Sequence, residues 1–256
     1  MRAVNRIRLV PVVLAALAAL VPSFASGQGV TEWSSEQRII LAFRVNPDVL
    51  QRLLPAGWVS APSTSPGTPG ANLNVTMMER QVVLDPQGKT LRTGTSRYMV
   101  LGAPARNAQT GQANTLIISG LSPEGAGAYG VYLTASTATV ERTTSGEAEG
   151  AASVREAWTF AATTGERVEL KVDYKRGPAT RSRADAVVRS GLKPEFQRTY
   201  HIDQATDVVR SANSSDRVSQ LSVSATGPTL APLFDGTQVL LGVTAVPYYV
   251  REITIP

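Results

Sequence analysis

Apolar and polar positions alternate in short runs along most of this chain, and stretches at helical spacing are scarce. The clearest run is 167–175, where Val168, Leu170, Val172 and Tyr174 alternate with Glu169, Lys171, Asp173 and Lys175. A period of two puts these sets on opposite faces of a strand, one apolar and one charged. Further strands are expected over 38–45, 73–84, 93–101, 115–120, 131–142, 153–161, 199–203, 220–226, 238–241 and 244–255. Within 93–101, Thr95, Arg97 and Met99 share one face, and Ser96, Tyr98 and Val100 the other. Residues 85–88 (Asp-Pro-Gln-Gly) and 163–166 (Thr-Thr-Gly-Glu) read as turns, and the proline- and glycine-rich 62–70 as a loop.

One helix is well marked. Asn46 is a capping residue, Pro47 suits the first helical position and Asp48 falls in the first turn. Val49, Leu50, Leu53 and Leu54 follow at helical spacing, and Pro55 ends the run. Two turns cannot stand alone in water, so this apolar face must dock on something larger. A second short helix is expected at 230–234, while 28–37 reads as a polar lead-in. Closely spaced strands without long helices predict a mainly β fold, either a large antiparallel barrel or a pair of curved, packed sheets. A single domain over 28–256 is expected to hold it.

The N-terminus has a different pattern. Arg2, Arg6 and Arg8 precede an apolar run from 9 to 21, and small residues surround Ala25 and Gly27. That order is the pattern of an export signal over 1–27, and the run is short for a membrane span. The expectation is an exported protein, periplasmic or secreted, with no permanent membrane anchor. Three of the 25 lysines and arginines lie in that segment, which leaves a net charge near +2 on the rest. No concentrated basic face remains for nucleic acid.

Candidate chemistry is narrowed mainly by what the composition lacks. With no cysteine there are no disulfides, thiolates or cysteine-bound metals, and one histidine, His201, cannot form a histidine-rich zinc site. No metal and no cofactor is therefore expected. Ser119 lacks the flanking glycines of a nucleophile elbow. The glycine-rich stretch 125–130 lacks a phosphate-binding lysine and reads as a tight bend or a close backbone approach.

Residues 43–55 (Phe-Arg-Val-Asn-Pro-Asp-Val-Leu-Gln-Arg-Leu-Leu-Pro) resemble the opening of the acetoacetate decarboxylase superfamily. There a strand leads into a short proline-flanked helix that closes one side of a barrel. The order near the C-terminus is also similar: Gly-Pro-Thr-Leu-Ala-Pro-Leu-Phe at 227–234, a polar turn, then Leu-Gly-Val-Thr-Ala-Val-Pro-Tyr-Tyr-Val at 241–250. The resemblance implies a cone-shaped β-barrel around a small-molecule cavity. Enzymes of that family use a lysine as Schiff-base nucleophile, and the matching stretch here, 130–135, is Gly-Val-Tyr-Leu-Thr-Ala. No lysine occurs between Lys89 and Lys171, so the Schiff-base mechanism does not carry over.

Lys171 and Lys175 fall on the charged side of their strand and read as solvated. Arg80, Arg97 and Arg142 interrupt mostly apolar strands, and an arginine in a barrel can hold a carboxylate through two hydrogen bonds. Tyr98 and Tyr132 are the hydrogen-bonding aromatics placed to join them. His201 with Asp203, two residues on, is the one local arrangement resembling an acid–base pair. The expected partner is a small organic ligand, in particular a carboxylate, and homo-oligomerisation is left open. Two functional readings stand: a lyase-like enzyme on an oxo or hydroxy compound without a Schiff-base lysine, or a noncatalytic extracytoplasmic binding protein. Intact-mass measurement of the exported product should give a chain beginning near residue 26 or 28; a mass that includes 1–25 would contradict export by cleavage.

Overall fold

The computed structural model describes residues 29–214 and 216–256; the segment read above as an export signal lies outside them. Twelve strands carry the chain: β1 (Gly29–Arg44), β2 (Trp58–Ser60), β3 (Leu73–Leu84), β4 (Ser96–Asn107), β5 (Ala113–Ser122), β6 (Tyr132–Ser145), β7 (Ser153–Ala162), β8 (Arg167–Lys175), β9 (Thr180–Ser190), β10 (Gln197–Arg210), β11 (Val218–Thr226) and β12 (Val239–Ile255). The only other regular elements among the described residues are α1 (Pro47–Leu53) and a single 3-10 turn (Ala231–Leu233). No described helix is long and apolar enough to cross a membrane.

The strands form one sheet in the order β11-β8-β7-β6-β5-β9-β10-β12-β1-β3-β4-β2, and β4 also pairs with β5. That extra pairing closes β5, β9, β10, β12, β1, β3 and β4 into a ring. The other long strands, β6, β7, β8 and β11, continue from β5 as a second layer. Pairing is antiparallel except where β5 meets β6 and β9, which run parallel to it.

Alternation along the ring strands decides where the core lies. Ile39, Leu41, Val75, Met77, Met99 and Leu101 point out of the ring and pack with Trp158, Phe160, Leu170 and Val172 of the second layer. Trp158 and Phe160 stack with centroids 6.2 Å apart. The residues between them on the same strands, such as Ile40, Met78 and Val100, point into the ring. The dense apolar core is thus between the layers, and the ring interior is left to other uses.

A polar clamp bridges the layers at the margin of that core. Arg142 on β6 donates to Glu79 on β3 (2.6 Å) and Gln37 on β1 (3.0 Å), and its Nε lies 3.2 Å from Glu156 on β7. Glu156 also accepts from the Trp158 indole (2.8 Å) and the Tyr174 hydroxyl (3.0 Å). Burial and the neighbouring Glu156 carboxylate push the Tyr174 phenol up, so it stays protonated and donates. Each buried charge therefore has partners, as a low-dielectric site requires.

Several sequence expectations change here. Residues 29–37 belong to β1 rather than to a polar lead-in, pairing with β12 on one side and β3 on the other. β9 was not anticipated, because over 181–186 small Ser182, Ala184 and Ala186 alternate with Arg181, Arg183 and Asp185, with no large apolar residue. β10 extends well beyond 199–203. The expected strands 238–241 and 244–255 are one, with Pro247 at an irregularity in the pairing, where its missing N–H is tolerated.

The helix forms as its signals require. The Asn46 side chain accepts from the amides of Asp48 (3.0 Å) and Val49 (3.4 Å). Leu50 is fully buried with Phe43, Leu230 and Leu233 in the inter-layer core, so α1 covers an end of that core, and none of its residues lines the ring interior. Asn46→Ala should lower stability by about 1 kcal/mol, while Asn46→Asp keeps a capping oxygen and should stay near wild type. Denaturant unfolding checks this; an unchanged midpoint for Asn46→Ala would show that tertiary packing alone sets the helix.

Candidate functional site

The ring encloses a cavity of about 420 Å3. Small inward residues leave the room: Gly102, Thr76, Thr115 and Ala186 stand where larger side chains would fill the barrel. Apolar walls come from Ile40, Met78, Val100, Ile117, Val188 and Ile202, and five tyrosines, 98, 129, 132, 200 and 249, supply the aromatic lining. Four arginines, 38, 80, 198 and 251, reach the same space. No lysine lines it, and Lys89, Lys171, Lys175 and Lys193 are all exposed elsewhere.

Glu36 on β1 organises one wall. Its side chain is fully buried, and it accepts from Arg38 Nε at 2.7 Å and Ser34 Oγ at 2.8 Å. Arg251 approaches to 3.0 Å and Arg80 to 3.5 Å, and Arg80 also pairs with Glu32. Burial by itself pushes the Glu36 carboxyl up, but the charges of Arg251, Arg38 and Arg80 outweigh it and bring the pKa from 4.5 down to about 2. Each of these guanidiniums also faces a tyrosine ring: Arg38 lies 3.4 Å from the centroid of Tyr249, Arg251 4.5 Å from Tyr200 and Arg80 5.5 Å from Tyr98. This carboxylate–guanidinium–aromatic knot is held from several ring strands at once.

The segment between β5 and β6, with Tyr132 at the start of β6, supplies another part of the lining. Tyr132 packs edge-on to Tyr98 and Tyr129, with centroids 6.4 and 6.5 Å away. Its ring sits between two glycines. A Cβ on Gly120 would fall 2.7 Å from the ring, and one on Gly127 2.5 Å from it. The glycine-rich stretch is therefore a close approach as well as a bend, with Gly127 in the left-handed region at φ +62°. Arg92 ties this segment to the preceding loop by pairing with Glu124 and donating to the Tyr98 hydroxyl at 3.1 Å.

Arg198 and Tyr132 are among the polar groups facing the cavity that lack a partner. The Arg198 guanidinium makes no hydrogen bond or ion pair with a described residue, although its Nε is buried. The Tyr132 hydroxyl likewise has none, whereas the Tyr129 and Tyr200 hydroxyls bond each other. Burial first, then the neighbouring Tyr200, push the Tyr132 phenol up, and the charges of Arg251 and then Arg198 only partly offset this. Tyr132 therefore remains a donor at ordinary pH. A free cation and a free O–H beside each other are what an anionic oxygen ligand requires.

The candidates named from the sequence divide by strand face. Arg80, Tyr98 and Tyr132 line the cavity. Arg97 and Arg142 do not; both pair with Glu79 in the inter-layer clamp. Arg97 and Tyr98 are adjacent on β4, so their side chains cannot share the interior. His201 lies on the outside of the ring, and its carboxylate partner is Asp185 on β9 at 2.8 Å rather than Asp203. Asp203 is held by Arg181 and Arg183. Glu36, Arg38, Arg198, Arg251, Tyr200 and Tyr249 were not singled out by the sequence pattern. The available signal was a charged or phenolic residue every second position, as in Tyr249 and Arg251 or Arg198 and Tyr200.

No protein-family model matches the chain, and no curated protein matches it by sequence. Solved structures do match. The enduracididine biosynthesis enzyme MppR in complex with pyruvate aligns with 96% of this chain and 96% of its own, at TM-score 0.50 and 11% identity. An acetoacetate decarboxylase-like enzyme from Sphingomonas wittichii RW1 aligns with 89% of this chain and 93% of its own, at TM-score 0.50 and 13% identity. Identities this low speak to architecture alone, and the architecture is that of the acetoacetate decarboxylase-like fold.

Proposed function

We propose that the ring cavity binds a small organic carboxylate non-covalently, with Arg198 holding the carboxylate and Tyr132 donating to a neighbouring oxygen. The observation that carries this is the unpartnered Arg198 guanidinium, facing a largely apolar lining whose other arginines are paired. An unpaired arginine gives up no protein partner in taking an anion, whereas the knot arginines already have Glu36 and Glu32. That MppR holds pyruvate in the same fold agrees with an organic acid as ligand. The pattern of residues 1–27 further supports the proposal that binding takes place outside the cytoplasm.

The cavity offers little for amine or acid–base chemistry. A Schiff base needs a desolvated lysine, and the four lysines of this chain are exposed. Glu36 stays ionised down to about pH 2, and the Tyr129 and Tyr132 phenols are pushed up, so these groups do not exchange protons near neutrality. A second reading keeps lyase-like turnover, because the solved structures sharing the fold are enzymes. Without an amine as electron sink, carbon–carbon cleavage would have to leave the electrons on a ketone oxygen as an enolate. Arg198 and Tyr132 would then serve as its donors.

Calorimetric titration with pyruvate separates these outcomes. Binding should be reversible, leave no borohydride-stable adduct, and weaken roughly tenfold or more in Arg198→Met, the loss of a charge-assisted pair. Binding that ignores Arg198 would overturn the assignment. Acetoacetate should release carbon dioxide at the uncatalysed rate, unchanged in Lys171→Ala and Lys175→Ala. Substrate-dependent borohydride trapping, or release abolished by either lysine variant, would establish an amine mechanism instead.

A further inference from the structure

The dimensions and lining of the cavity say more about the ligand than its charge. At about 30 Å3 per water, 420 Å3 corresponds to roughly fourteen waters, far more than a three- or four-carbon acid would displace. The space is also long. Arg198, Tyr200, Ile202 and Gln204 all face it from β10, and the six steps of extended strand from the first to the last span roughly 20 Å at about 3.3 Å each.

Its chemistry is uneven. The free polar groups, Arg198 and Tyr132, lie close enough for the arginine charge to act on the phenol. Most of the remaining lining is apolar or aromatic, with Thr76, Thr115 and Gln204 as uncharged polar residues, Glu32 and Glu124 each paired to an arginine, and the other arginines paired to Glu36 and Glu32. Tyr98, Tyr129 and Tyr132 form an edge-to-face set, which gives this part of the lining an aromatic character. A small, fully hydrated acid would satisfy Arg198 and leave these walls wet.

We infer that the ligand class is an amphipathic carboxylic acid with an aromatic body, an aryl-substituted short-chain acid, rather than a small keto acid. This rests on the proposed carboxylate role of Arg198 and adds the requirement for an apolar body. The carboxylate pairs with Arg198 and an oxygen near it accepts from Tyr132. The ring of the ligand then lies against the tyrosines and the side chains of Met78, Val100, Ile117 and Val188. Burying a phenyl group is the dominant source of affinity, because apolar area removed from water contributes in proportion to its size.

Calorimetry with propanoate, 3-phenylpropanoate and the neutral 3-phenylpropan-1-ol tests this on the whole protein. 3-Phenylpropanoate should bind about 10- to 100-fold tighter than propanoate, the effect of burying one phenyl group. Its binding heat capacity should be more negative than that of propanoate. Arg198→Met should weaken 3-phenylpropanoate at least tenfold and leave 3-phenylpropan-1-ol unchanged; retained alcohol binding also shows that the variant is folded. Equal affinities for the two acids, both lost in Arg198→Met, would overturn the aromatic-body inference and leave carboxylate binding standing. Acid binding that is indifferent to Arg198, or none, would overturn both.

Discussion

The interior of the ring depends on one buried carboxylate. Glu36 holds Arg38, Arg80 and Arg251 within reach of each other, and three guanidiniums could not otherwise crowd one wall of a low-dielectric cavity. Its charge is kept by theirs, so the knot is ionised as a unit. The tyrosine rings stacked on the guanidiniums then fix the aromatic lining. Because Glu36 is on β1, Arg80 on β3 and Arg251 on β12, the knot also ties adjacent ring strands in register.

Strand alternation turns the neighbours of these residues to a different task. Gln37 and Glu79 flank Glu36 and Arg80 in sequence, yet their side chains leave the ring and meet Arg97 and Arg142 in the clamp to the second layer. One belt of polar residues on β1 and β3 therefore serves both faces. The inward half satisfies its own charges and leaves Arg198, several residues away on β10, as the free cation. Three arginines of the lining are thus paired within the knot, and Arg198 is not.

Much of the architecture was legible because its elements carry their own signals. β8 alternates cleanly, α1 has a capping residue and two bounding prolines, and 125–130 had the glycines that a close approach demands. The signals fade where an inward face is polar or small. In the first half of β1, Glu32 faces the cavity and Ser34 and Glu36 bond the arginines that line it, so no apolar alternation marks it as buried, and β9 offers the cavity only small Ala186 before Val188. For the site, Arg80 stood out as a charged residue in a mostly apolar strand, and Tyr98 and Tyr132 as hydrogen-bonding aromatics. The same logic also selected Arg97 and Arg142, because a sequence shows that two faces exist but not which one encloses a cavity. His201 near Asp203 was a local pattern, and β9 supplied a nearer carboxylate, Asp185, from a distant part of the chain.

The central claim, that an ionised Glu36 holds the ring together, is tested most directly by denaturant unfolding of wild type and Glu36→Gln from pH 7 to pH 2. The folded pKa lies below the unfolded one, so the contribution is complete above about pH 4.5 and lost as pH falls toward 2. At about 1.4 kcal/mol per pKa unit, a fall from 4.5 to about 2 corresponds to roughly 3 kcal/mol. Wild type should exceed Glu36→Gln by about that amount at neutral pH, and the gap should narrow steadily with acidification. A gap that stays constant across this range, or that is absent at pH 7, would contradict the account.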